Sequence, residues 1–168
     1  YPADIYQVID KSLLSEMDKL VLNMLYMPII GSSAVSLYLK LQSETRNMII
    51  SPELTHHHLM TNMSITLDNL KEARLKLEGI GLMKTYFHKG EVNSYVYELY
   101  SPLSPKEFLS SPIFNVTLYN NIGKKEYEYI KTQYSLPKVD LKEYEDISKE
   151  LNLPTKSLPT IIHILYKG

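Results

Sequence analysis

The sequence predicts a mainly helical α+β chain, and three observations carry that expectation. Apolar residues recur at three- and four-residue steps in successive runs punctuated by Pro28, Gly31, Ser51-Pro52 and Gly79. Two short runs of mixed β-formers, 82–87 and 94–100, are separated by His88-Lys89-Gly90-Glu91-Val92-Asn93, a glycine-containing connection that suits a hairpin. The 168 residues include no cysteine, so the fold must close on its own hydrophobic core, which a chain of this length can do.

In chain order, Ile5-Tyr6-Gln7-Val8-Ile9 is a short β-prone run. Ser15-Glu16-Met17-Asp18 reads as a capping box, after which Met17, Leu20, Val21, Met24 and Leu25 predict a first helix that Pro28 should end. After Gly31, Ala34, Leu37, Tyr38 and Leu41 line one face of a second helix, while Val35 and Leu39 make another face apolar. Thr55 caps a short helix from His56 to about Met63. Leu67, Leu70, Ala73, Arg74 and Leu77 follow from a cap near Ser64 or Thr66, and Gly79 stops that helix. The hairpin comes next. Short helices and then a two-stranded hairpin are the element order of a winged helix, with 66–78 in the recognition position and the hairpin as the wing.

Beyond the wing, Ser104-Pro105-Lys106-Glu107 starts another helix, and Phe114, Leu118 and Ile122 continue helically after Pro112. Tyr127, Ile130 and Tyr134 predict a further helix. Asp140 and Glu143 form a second capping box, with Val139 and Tyr144 as its hydrophobic staple. The expected organisation is a winged-helix interaction domain over 1–122 and a looser helical extension over 123–168. The apolar stretch 161–166 needs a partner. The abrupt ends of the chain read as those of a fragment leading toward a further domain.

Composition excludes several functions. A formal net charge of −1 gives no global field toward nucleic acid or anionic lipid, and only Arg46 and Arg74 supply the forked cation best suited to phosphate and guanine. No apolar run approaches the roughly 20 residues of a membrane span, residues 1–10 lack the basic-then-apolar layout of a signal peptide, and the lack of cysteine fits a reducing cytoplasm. His56-His57-His58 diverge by about 100° per residue on a helix, so they do not converge on a metal. Gly123-Lys124-Lys125 lacks the glycine and hydroxyl residue of a phosphate loop, and no nucleophile elbow or dinucleotide fingerprint is present. The expectation is a non-enzyme without cofactor or metal.

Five cations of the recognition helix and wing, Lys71, Arg74, Lys76, Lys84 and Lys89, are the candidates for DNA contact. Five acids on the same elements balance them, so the contact should be weak and salt-sensitive. Self-association is the stronger expectation. The lone strand needs an edge, which the two-stranded wing offers, and this assigns Ile5, Tyr6, Val8 and Ile9 together with Tyr95 and Tyr97 to an oligomer interface, the alternative being that these groups close the core of a single chain with the C-terminal helices. Val35 and Leu39 support the interface from the second helix.

The segments 25–31, 36–38, 55–60 and 72–82 together resemble the DnaB/DnaD primosomal family of Gram-positive bacteria, in the amino-terminal part of its helicase co-loaders. The resemblance covers roughly 2–122. It implies a self-associating winged-helix scaffold for replication initiation that acts with a DnaD-like initiator, an ATP-dependent loader and the replicative helicase. It also implies that origin DNA is held mainly by a further carboxy-terminal domain, and that the whole protein can associate with the membrane. The alternative is a winged-helix transcriptional regulator that binds duplex DNA.

Overall fold

The computed structural model describes residues 1–134 and 139–151, and 1–135 forms a first compact unit. Its sheet is ordered β2-β1-β4-β3, from strands β1 (Ile5–Asp10), β2 (Leu54–Thr55), β3 (Met83–His88) and β4 (Ser94–Leu99). The hairpin is antiparallel, with Met83 opposite Leu99 and His88 opposite Ser94. β1 runs parallel to β4 along its whole length, Ile5 beside Ser94 and Asp10 beside Leu99. The lone strand therefore finds the wing's inner edge within its own chain. A cis partner needs no association and loses only loop-closure entropy, so it wins over an edge on another copy.

Helix α1 (Glu16–Val21) starts at the expected box: Ser15 Oγ accepts from the Asp18 amide at 3.1 Å, and Asp18 returns the bond to the Ser15 amide at 2.9 Å. It does not stop at Pro28. A π-helical turn, Leu22–Tyr26, leads into α2 (Met27–Ile30), and the Met27 amide reaches back five residues to the Leu22 carbonyl. The widened turn makes room for a ring that would otherwise meet the carbonyl four residues earlier. Gly31, at φ 84°, ends this helix and opens α3 (Ser32–Glu44) in a single residue.

α3 packs on α5 (Leu67–Gly79) and on β1, so both of its apolar faces are covered. α4 (His56–Met63) and α5 begin at Thr55 and Thr66, whose hydroxyls accept from the His58 amide at 3.1 Å and the Asn69 amide at 3.2 Å. α6 (Pro105–Ser110) opens at Ser104 and drives Phe108 into the core, 5.1 Å from the Tyr26 ring and 5.2 Å from Phe114. The architecture is a winged helix with added helices.

α7 (Pro112–Gln133) joins two helices across a kink at Gly123, φ 81°. Beyond the kink, Tyr127 and Ile130 return to the same core, so the boundary expected after Ile122 falls inside the compact unit. In the second unit, the helix expected from Asp140 is not formed. Asp140 instead accepts from the Lys142 amide at 3.0 Å in a local turn. A short capping side chain without a packed helix behind it favours such turns. The stretch 161–166 lies outside the described residues. Among those residues no helix is long and apolar enough to cross a membrane.

Candidate functional site

The recognition helix α5 and the wing place the five candidate cations very differently. Lys71 and Lys89 are exposed. Arg74 is not free: its side chain is only 26 % exposed, its Nε lies 3.4 Å from Glu78 Oε2, and its guanidinium stands 6.0 Å from the Tyr95 ring centroid. Lys76 is exposed and pairs with Glu72 at 3.4 Å, and the Lys84 ammonium sits 5.5 Å from the Tyr100 ring centroid. Two of the three α5 cations are thus engaged by acids four residues away on the same helix. That signal was present in the spacing Glu72-Lys76 and Arg74-Glu78. Four of the five cations, Lys71, Lys76, Lys84 and Lys89, stay exposed among acids of the same elements, and only Arg74 is drawn in.

Behind α5 lies a buried polar junction. His56, 5 % exposed, has Nδ1 at 2.6 Å from the Asp4 carbonyl and Nε2 at 2.6 Å from the Tyr97 hydroxyl. A carbonyl only accepts, so Nδ1 carries the proton and Tyr97 donates to Nε2. Burial lowers the pKa of His56 and raises those of Tyr6 and Tyr97 well above the phenol range, so all three are neutral. The rings of Tyr6, Tyr95 and Tyr97 stand 5.1, 5.0 and 5.8 Å from His56. This junction ties α4 to the entry of β1 and to the wing, and no spacing in the sequence announced it.

Of the residues expected at an oligomer interface, Tyr6, Val8, Val35 and Tyr97 are buried in the chain's own core. Burial of 97 % or more leaves them nothing to offer a second copy, which corrects their assignment. Ile5, Ile9, Leu39 and Tyr95 are half-buried. The wing's exposed apolar groups are instead Tyr86, Phe87 and Val92, on or beside β3, whose outer edge no strand of the described residues covers. The three adjacent histidines diverge: His56 enters the core, His57 is exposed, and His58 turns to Glu44 at 3.3 Å, which Lys40 also reaches at 3.1 Å. Among the described residues no group of three or more potential ligands is placed to hold a metal.

Residues 1–153 match the family model described as the DnaB N-terminal winged helix domain. The chain belongs to this family. It is 28 % identical over 153 residues to the replicative helicase loading/DNA remodeling protein DnaB of Staphylococcus aureus, covering 89 % of the chain and 32 % of that protein. Primosome protein DnaB of Geobacillus stearothermophilus, in a crystal structure of its residues 1–300, superposes with a TM-score of 0.83 at 34 % identity, over 89 % of this chain and 57 % of that one. The chain thus spans about a third of the length of the Staphylococcus aureus relative.

Proposed function

We propose that this winged helix is the amino-terminal scaffold and oligomerisation domain of a helicase loader, acting in replication initiation without turnover of its own. The observation that carries the reading is the state of the recognition helix. Its one arginine is turned inward to Glu78 and Tyr95, while the wing presents an open strand edge with exposed Tyr86 and Phe87 beside it. Arginine is the side chain best suited to forked phosphate and guanine contacts, and a duplex reader is favoured by having it free on that helix. A self-associating module needs an edge and aromatic anchors.

The relatives, a helicase loading protein and a primosome protein, support the same role. In this reading self-association runs through the outer edge of β3, because β1 already fills the inner one. The half-buried Ile5 and Ile9 on β1 and Leu39 on α3 lie away from that edge, and Tyr95 of β4 sits behind it against Phe87. The partners are a primosomal initiator, an ATP-dependent loader and the replicative helicase, and origin DNA is held mainly by parts of the protein outside this domain.

Fluorescence anisotropy with labelled duplex distinguishes this from a transcriptional regulator. Weak binding that is lost near 150 mM salt is the expected result, since few phosphates are neutralised. Sub-micromolar, sequence-selective binding that persists in that salt and disappears in Lys71→Ala and Lys76→Ala would refute it.

A further inference from the structure

Residues 139–151 contain neither helix nor strand, and they hold Val139, Leu141, Tyr144, Ile147 and Leu151 at 67–80 % exposure. Five large apolar side chains facing water in so short a segment mark an interaction site rather than a spacer, because linkers are built from small and polar residues. Their order is that of a helix. Leu141, Tyr144, Ile147 and Leu151 follow steps of three, three and four, a single apolar stripe.

The ends agree. Asp140 and Glu143 occupy cap and third-residue positions, Val139 and Tyr144 the staple positions, and Lys149 stands near the other terminus, where a cation suits the helix dipole. By itself a helix of this length is marginal in water. In the free chain the carboxylates close local turns instead, Asp140 on the Lys142 amide and Asp146 on the Ser148 amide at 2.9 Å. The missing element is a surface for the stripe to lie on.

We propose that 139–151 is a docking segment that becomes an amphipathic helix in an apolar groove of a partner protein whose rim carries Lys and Arg. The rim follows from charge: the segment has five acids against two lysines, a net −3. That charge repels nucleic acid and anionic lipid and leaves a basic-rimmed protein groove as the complementary occupant. The segment lies within the matched family domain, which extends to residue 153. The choice of partner rests on the helicase-loading reading above.

The test titrates the whole chain separately against purified replicative helicase, ATP-dependent loader and primosomal initiator, with hydrogen exchange read across the complex. The expected result is that one of them binds and protects the amides of 139–151. Affinity should fall at least ten-fold in the Tyr144→Asp, Ile147→Asp double variant, and again in Glu145→Pro, which blocks the helix without removing an apolar contact. An unchanged melting temperature separates lost docking from lost folding. Binding that survives both variants without protection overturns the docking segment and leaves the helicase-loading reading standing. Affinity kept by the proline variant alone overturns the helical form. Binding to none of the three overturns both proposals.

Discussion

His56 and Tyr97 show how far a single side chain can be from its apparent role. Both sit among residues that look like surface, a histidine run and a tyrosine-rich wing, yet together they form a buried hydrogen bond of 2.6 Å. Tyr97→Phe should leave Nε2 of His56 without its donor and cost roughly 1–3 kcal/mol, read by urea denaturation. A change below 0.5 kcal/mol would mean that the junction is dispensable. Burial lowers the pKa of His56, so the unfolded chain takes up its proton first as pH falls. The contribution is fully present above about 6.5, the unfolded value, and is lost as pH falls from there toward the folded value. Melting temperature should therefore drop between pH 7.5 and 5.5, and more steeply than in His56→Gln. Equal slopes would remove His56 from the pH dependence. Arg74 belongs to the same lesson. Arg74→Met should lower stability by about 1 kcal/mol while changing duplex affinity less than two-fold, because it loses an ion pair and a cation–π contact rather than a phosphate contact.

At the scale of elements, caps made the helices legible. Ser15, Thr55, Thr66 and Ser104 stand at the starts the sequence marks, because a hydroxyl that accepts from an amide two or three residues on is a local matter that spacing records. Thr66→Ala should cost about 1 kcal/mol in a denaturant titration, and a fully neutral change would show that packing alone fixes the start of α5. The errors come from tertiary context. The π-helical turn lets the chain run through Pro28, which no local rule foresees. Asp140 and Glu143 carry a valid cap pattern, but no helix forms behind it in the free chain. A cap stabilises a helix that packing has already made worthwhile; it does not create one.

For the whole molecule, the winged-helix order was readable because each element is bounded locally, whereas the destination of β1 was not. The same five β-prone residues fit an edge on this chain or on another, and only the fold shows that β4 takes them. That choice buries Tyr6 and Val8, fills the inner edge of the wing and leaves the outer edge of β3 open. In α5 the acids four residues from Arg74 and Lys76, readable in the sequence, pair with those two cations. Self-association of the domain, as proposed above, runs through this outer edge. Sedimentation equilibrium of the whole chain at micromolar concentration in about 150 mM salt tests it most directly, alongside the Phe87→Lys variant, whose exposed position spares the core. The predicted result is a mass that is a multiple of the 19.4 kDa chain, reduced toward one chain by the variant with its melting temperature unchanged. A single-chain mass for the wild type, or an oligomer indifferent to Phe87→Lys, would contradict it.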